Sequence, residues 1–324
     1  MMTNLTSIEF GILILAFTAV SFKVVAQTYV PKTELKVLAI GNSFSGNANA
    51  YREKLNENDS LHKLIVDQAY IGGCSFEKHI TLARLHEQNP ADPDGKPYTC
   101  NKQKVSLKDM LTAQPWDVVT IQQVSHLSDD ITSYRPHAKD LCDYIKKYCP
   151  KAEIVVHEVW ADRIDNARMK LKKKTQLEMY RDLDAAYREI AEELGNLRII
   201  PAGDAFQNLR QIWKFQPDPN FDPQKMTYPN LPDQKHTLCI GWFWLKDKNI
   251  GEQKLGYDHH ANQAGCLLAA LVWRETLLGA DSRENKFCPP EVSMDDAIVI
   301  RRIAHETVVN KLRPDMSSLT QITK

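Results

Sequence analysis

Short apolar runs alternate with helical patterns along most of the chain, and this alternation limits the fold more than any other feature. Each run is rich in Val, Ile and Leu and ends at a polar or glycine-rich turn. Strands that are apolar along their whole length are typical of a parallel sheet covered by helices on both faces. The five runs are 35–40, 64–70, 116–122, 152–157 and 197–201. We therefore predict an α/β fold with three layers, α/β/α, around a five-stranded parallel sheet.

The rest of the chain after residue 26 is assigned to the same domain, 27–324. Helical patterns cover 51–58, 76–88, 136–148, 175–194, 263–278 and 293–312, and the Pro-rich stretch 89–104 predicts a surface loop. The stretch from about 206 to 253 breaks the alternation with five prolines and an aromatic cluster. We predict an insertion there, either functional or packed on itself. A helical extension is expected at about 281–324.

Bulk composition excludes some partners. The chain has 324 residues, and Lys+Arg and Asp+Glu number 41 each, so its formal net charge is zero. Nothing in this balance indicates a nucleic acid partner.

The N-terminus has the features of an export signal. Residues 8–22 are almost entirely apolar, and the small residues Val24 and Ala26 suit cleavage after Ala26. The run is shorter than the roughly 20 residues that span a bilayer. We predict a signal peptide over 1–26 and a periplasmic or secreted protein without stable membrane insertion. An uncleaved membrane anchor is the alternative, because Lys and Arg are absent before the apolar run.

All seven cysteines follow the predicted signal. Export would permit disulfides, and the odd number requires at least one free thiol or an intermolecular bond. The chain has no C-x-x-C pair, so the sequence indicates neither a zinc ribbon nor a thioredoxin-like site.

Polar segments follow the predicted strands at the sheet edge where open α/β folds bind ligands. They are Gly41-Asn42-Ser43, Gly72-Gly73 and Gln122-Gln123, and Asp258-His259-His260 precedes the helix at 263–278. In this order they resemble the conserved blocks of the SGNH/GDSL hydrolase superfamily over roughly residues 35 to 280. The resemblance implies a flavodoxin-like sheet and a serine esterase that forms an acyl-enzyme and needs no cofactor or metal. Ser43 matches the nucleophile of that pattern and His260 its general base.

The same resemblance implies an oxyanion hole of three donors. These are the backbone N–H groups of Ser43 and Gly73 and the side-chain amide of Gln122. Gln122 stands where the superfamily has an Asn, which points to a poorly characterised branch. Loss of one oxyanion donor typically slows an enzyme by about 100- to 1000-fold.

At the third member of a catalytic triad, the chain departs from the superfamily pattern. The superfamily pattern places an Asp three residues before the His, where this chain has Tyr257. Asp258, two residues before His260, is the expected acid. A dyad held by a backbone carbonyl is the alternative, and His259 is a poorer base because Asp258 is its direct neighbour.

The substrate is expected to be an ester of a small molecule or a glycan, with O-acyl groups on a carbohydrate first. Trp242 and Trp244 of the insertion, together with Asn42 and Trp160, are predicted to contact substrate. The two insertion tryptophans are as consistent with core packing. A lipid acyl hydrolase or thioesterase would use the same chemistry, and Tyr257 at the acid position leaves open a non-catalytic glycan-binding protein. Asp258, His259 and His260 lack a second ligand cluster, so no metal site is predicted.

Overall fold

The strands and helices of this computed structural model lie in residues 33–248 and 251–312, the residues that the structure describes. The strands are β1 (Glu34–Gly41), β2 (Lys63–Tyr70), β3 (Tyr98–Cys100), β4 (Gln103–Val105), β5 (Val118–Ile121), β6 (Glu153–His157), β7 (Arg198–Ile200), β8 (Cys239–Lys246) and β9 (Gln253–Ala261). The helices are α1 (Ser43–Ala48), α2 (Arg52–Glu57), α3 (Phe76–Gln88), α4 (Leu107–Thr112), α5 (His137–Tyr148), α6 (Ala167–Lys172), α7 (Gln176–Glu193), α8 (Ala202–Trp213), α9 (Gln263–Leu278) and α10 (Met294–Leu312).

Five strands form one parallel sheet in the order β2-β1-β5-β6-β7. This is the 2-1-3-4-5 order of flavodoxin-like folds. Helices α3, α4 and α5 pack together, and α1, α8, α9 and α10 form a second packed group. The predicted α/β fold with a five-stranded parallel sheet is therefore confirmed.

The central strands are buried because helices cover the sheet. In β1, Val37, Leu38 and Ala39 are fully buried, and Val155 and Val156 of β6 are equally inaccessible. Such strands need apolar residues at consecutive positions, which is why their sequences lack the alternation of a half-exposed strand.

Helix α9 is buried on all sides. Every residue from Gly265 to Leu278 is buried, and the helix contacts α1, α8 and α10. Arg274 and Glu275 bond to groups of other segments, and most of the remaining helix is apolar, which requires such an interior position. Asn262 caps its N-terminus by accepting a hydrogen bond from Gly265 N at 3.0 Å. The segment directly before α9 is therefore held firmly against the core.

Two regions differ from the sequence prediction. The Pro-rich stretch 89–104 contains the small antiparallel pair β3–β4 in addition to loop. The predicted insertion at about 206–253 begins inside α8 and contains the first strand of the hairpin β8–β9, whose second strand continues to Ala261. All seven cysteines are free thiols.

The predicted signal peptide, 1–26, lies outside the described residues, so export stays a prediction. Among the helices that the structure does describe, none combines the length and apolar character that spanning a bilayer requires.

Two buried histidines make the free energy of unfolding sensitive to acid. Burial lowers the pKa of His79 and of His157 from 6.5 to about 3. Both rings are therefore neutral in the folded protein between these values, whereas the unfolded chain binds protons. Their stabilising contribution is complete above pH 6.5 and is lost as the pH falls toward 3.

We expect His157→Leu to make the unfolding free energy less dependent on pH between about 6.5 and about 4. The slope of the unfolding free energy against pH should fall by the contribution of one proton, which is about 1.4 kcal/mol per pH unit. Urea unfolding of both proteins at several pH values measures it. Equal slopes would contradict the burial of a neutral His157.

Candidate active site

Ser43 follows strand β1 and lies at the carboxyl edge of the sheet. The strand ends at Gly41, and the side chain of Asn42 caps α1 by accepting a hydrogen bond from Phe44 N at 3.1 Å. Ser43 is the first residue of this helix and is half-buried. Its hydroxyl therefore lies where ligands bind in open parallel sheets.

The hairpin β8–β9 carries the other two residues of the predicted triad. Asp258 and His260 lie on β9, close to the point where the chain enters α9. The strand pairing is irregular here, because Gly241 pairs with Asp258 and Cys239 with Ala261, so β9 has one residue more than β8 between these pairs. In this segment the backbone N–H of His260 donates to Asp258 Oδ1, and an acid two positions before the histidine comes into contact with its ring.

These three side chains form a continuous chain of hydrogen bonds. His260 Nε2 lies 2.7 Å from Ser43 Oγ, and His260 Nδ1 lies 2.5 Å from Asp258 Oδ1. The backbone N–H of His260 also donates to Asp258 Oδ1 at 2.9 Å. When Nδ1–H donates to the carboxylate, Nε2 is left as the acceptor for the serine proton. The geometry is that of a Ser-His-Asp triad.

His259 packs beside this triad without joining it. Its ring stacks on His260 with centroids 4.5 Å apart and lies 5.8 Å from the ring of Phe44. Burial, followed by the nearby His260 and Arg168, lowers the pKa of His259 to about 4. His259 is therefore neutral at neutral pH, and the histidine in contact with Ser43 is His260.

Two backbone donors lie in the loops next to the serine. Gly73 has φ +62° in a turn closed by Cys74 N donating to Ile71 O at 3.2 Å. Asn42 Nδ2 donates to Cys74 O at 2.9 Å, and this hydrogen bond joins the turn to the loop that carries Ser43. Within the described residues neither Ser43 N–H nor Gly73 N–H has a hydrogen-bond acceptor. Both donors are therefore available to an oxyanion.

The side chain of Gln122 makes its hydrogen bonds inside the protein. Its side chain is fully buried, and Nε2 donates to Asn42 Oδ1 at 2.9 Å and to Gln123 O at 3.4 Å. Its Oε1 accepts a hydrogen bond from Ser45 Oγ. Both amide hydrogens have acceptors within the protein, so the Gln122 amide holds the loop that carries Ser43 in this structure. Its role as an oxyanion donor stays a prediction.

Two of the predicted substrate contacts are part of the core. Trp160 is fully buried and stacks between Phe44, at 4.4 Å, and Phe206, at 4.3 Å. Asn42 is only 1% exposed and uses its side chain to hold the two loops. Their predicted role in substrate binding does not fit this burial, which leaves them no surface for a substrate.

The hairpin tryptophans are half-buried on β8. Trp242 packs edge-on against Tyr257 with centroids 5.0 Å apart. Trp244 donates its indole N–H to Asn230 O at 2.8 Å and packs edge-on against Tyr228. Both retain exposed surface on the hairpin that carries Asp258 and His260.

In the part of the chain that the structure describes, three groups of side chains have donor atoms close enough to hold a metal ion. They are Asp258-His259-His260, Glu158-Asp184-Asp204 and Glu275-Asp281-His305. In the first group, the ring nitrogens of His260 already contact Ser43 and Asp258, so this geometry fits a triad better than a metal centre. In the third group, His305 Nδ1 lies 2.6 Å from Glu275 Oε1, and this hydrogen bond joins α10 to α9. Sequence reasoning missed the second group, whose members come from three separate segments.

A family described as a domain of unknown function, DUF4886, matches residues 36–246, more than half of the chain. The chain belongs to the DUF4886 family. The matched region includes Ser43, Gly73 and Gln122 and ends within β8, before Asp258 and His260. No curated protein matches the chain.

Solved structures include another member of the DUF4886 family, from Bacteroides uniformis ATCC 8492. It is 24% identical, has a TM-score of 0.63, and the match covers 88% of this chain and 99% of that one. This likeness shows that the fold is shared. A candidate SGNH hydrolase from Slackia heliotrinireducens matches with 19% identity and a TM-score of 0.45, over 75% of this chain and 98% of that one. A candidate GDSL-like lipase from Parabacteroides merdae ATCC 43184 has 14% identity and a TM-score of 0.36, over 56% and 84%.

The two possible roles of Gln122 predict different outcomes for Gln122→Met. If Gln122 is a buried support, its loss removes one of the two hydrogen bonds that Asn42 Oδ1 accepts and the acceptor of Ser45 Oγ, so the unfolding free energy should fall by about 1–3 kcal/mol. An oxyanion donor would instead cost activity by about 100- to 1000-fold at unchanged stability. Urea unfolding and ester hydrolysis by the same preparation distinguish them, and unchanged stability would contradict the supporting role.

Proposed function

We propose that this DUF4886 protein is a serine esterase in which Ser43 is the nucleophile, His260 the general base and Asp258 the orienting acid. The observation that carries the proposal is the unbroken chain of hydrogen bonds from Ser43 Oγ through His260 to Asp258. A serine hydroxyl becomes a useful nucleophile only beside such a base.

In the first half of the reaction, Ser43 Oγ attacks the ester carbonyl carbon while His260 Nε2 takes the hydroxyl proton. The carbonyl oxygen becomes an oxyanion, which the backbone N–H groups of Ser43 and Gly73 stabilise. His260 then returns its proton to the alcohol oxygen as the bond to the carbonyl carbon breaks. The alcohol leaves and the acyl group stays on Ser43.

In the second half, water replaces the alcohol. His260 Nε2 takes a proton from the water as its oxygen attacks the acyl carbon, and it then protonates Ser43 Oγ as the acid departs. Asp258 holds the imidazole in one tautomer through both halves, because it accepts hydrogen bonds from Nδ1 and from the backbone N–H of His260. Its negative charge also stabilises the imidazolium that forms twice per cycle.

The substrate class that we propose is an ester whose alcohol is a carbohydrate. Trp242 and Trp244 support it, because both are half-exposed indoles on the same hairpin as Asp258 and His260. The flat apolar faces of these indoles suit the apolar faces of sugar rings. We further propose that the protein is exported after cleavage at Ala26. The mass of the protein recovered outside the cytoplasm tests that step.

Hydrolysis of p-nitrophenyl acetate and of acetylated oligosaccharides tests the esterase. Ser43→Ala and His260→Ala should reduce the rate to background, and Asp258→Asn should lower kcat by roughly 10⁴-fold, as loss of the orienting acid does in serine proteases. Ser60→Ala removes an exposed serine and is the matched control with unchanged activity. Equal rates in the wild type and the Ser43→Ala variant would refute the proposal.

A further inference from the structure

A buried arginine joins the hairpin to the core. Arg163 lies in the loop between β6 and α6, and its side chain is only 3% exposed. Its Nε and Nη2 donate to the two carboxylate oxygens of Asp165, each at 2.6 Å. Burial is the largest single influence and acts to lower the pKa of Arg163, but the hydrogen bonds to Asp165 and the charge interactions with Tyr257, Asp165 and Cys239 together raise it. The guanidinium therefore stays charged and fixed in place.

This ion pair contacts the second strand of the hairpin, β9, through Tyr257. The Tyr257 hydroxyl donates to Asp165 Oδ1 at 3.0 Å, and the Arg163 guanidinium lies 5.5 Å from the centre of the Tyr257 ring. Tyr257 directly precedes Asp258 in the chain. The residue at the position where the superfamily has its acid is therefore used to hold the strand.

The same ion pair contacts the first strand, β8. Arg163 Nη2 donates to Gln234 Oε1 at 2.8 Å, and Gln234 exchanges two further hydrogen bonds of 2.8 Å with the backbone of Trp242. Gly241 has φ +71° and lies so close to the guanidinium that a side chain there would overlap it. Gly241 is also the residue paired with Asp258 across the hairpin.

Asp258 and His260 thus lie between two fixed points. On the N-terminal side, Tyr257 is bound to the Arg163–Asp165 pair. On the C-terminal side, Ala261 N donates to Asn47 Oδ1 of α1 at 3.2 Å, just before α9 begins. The hairpin forms a sheet of its own, separate from the five-stranded sheet, so it takes its position from these contacts.

We propose that Arg163 is a positioning residue of the triad. By holding Tyr257 and Gly241, it sets the distance of Asp258 and His260 from Ser43. This inference rests on the proposed esterase function. A misplacement of catalytic groups by about 1 Å can cost about 100-fold in rate. Arg163 should therefore matter for catalysis although it does not touch the substrate.

The chain offers a matched control for this arginine. Arg274 on α9 is also 3% exposed and also pairs with a carboxylate, Asp59 Oδ2, at 2.7 Å. Its partners lie in the segment between α2 and β2 and at the end of α2, away from the hairpin. Replacing either arginine by lysine keeps the charge and removes the planar guanidinium. Both variants should lose stability, but only one should disturb the triad.

Steady-state kinetics with p-nitrophenyl acetate, at a temperature where all proteins are folded, tests the inference. Arg163→Lys should lower kcat by about 10- to 100-fold with little change in KM, and it should shift the acidic limb of the kcat/KM profile. Tyr257→Phe removes the hydroxyl that donates to Asp165 and should show a smaller loss of kcat. Arg274→Lys should match the wild type in kcat and in pH profile.

The NMR signal of the His260 Nδ1 proton gives a readout that does not depend on turnover. Its far-downfield position reports the hydrogen bond to Asp258, and it should move or broaden in Arg163→Lys and stay in Arg274→Lys. Identical spectra and kinetics for the two lysine variants would overturn the positioning role. A wild type inert toward esters would refute the proposed function alone, because the NMR comparison would still decide the role of Arg163.

Discussion

The hydrogen bond between His260 Nε2 and Ser43 Oγ joins two residues that are 217 positions apart in the chain. It can form only when the end of β1 and the hairpin β8–β9 lie against each other, so the architecture must fix both. The parallel sheet fixes the serine, because β1 is a central strand paired on both sides. The buried helix α9 and the Arg163–Asp165 pair fix the histidine from its two sides. The geometry of the proposed triad is thus a consequence of packing at three places.

Buried polar groups stiffen the loop that carries Ser43, the proposed nucleophile. Asn42, Gln122 and Ser45 satisfy one another inside the protein. A fully satisfied network of this kind rigidifies its surroundings, whereas a partly satisfied one would be costly. The side chain of Gln122, which directly follows β5, is longer than that of Asn and reaches Asn42. Its amide hydrogens are thereby paired within the protein. In the proposed mechanism, oxyanion stabilisation is therefore assigned to the backbone N–H groups of Ser43 and Gly73.

Most of the sheet and the place of Ser43 could be predicted from the sequence, because buried parallel strands and the turns after them leave local patterns. The hairpin was harder to predict, since its aromatic and glycine residues do not alternate regularly and its second strand runs into α9. The partners of Gln122 and the burial of Trp160 depend on residues remote in sequence, which no local pattern reveals. Asp258 was one of several alternatives, because spacing alone does not show that it lies on a strand.

The most direct test of the account is the intact mass of the protein after treatment with a fluorophosphonate, followed by peptide mapping. The account predicts one adduct, located on Ser43, and much slower labelling of the His260→Ala variant, because the serine then lacks its base. Absence of an adduct on the folded wild-type protein, or equal labelling of both proteins, would contradict a nucleophilic serine activated by His260.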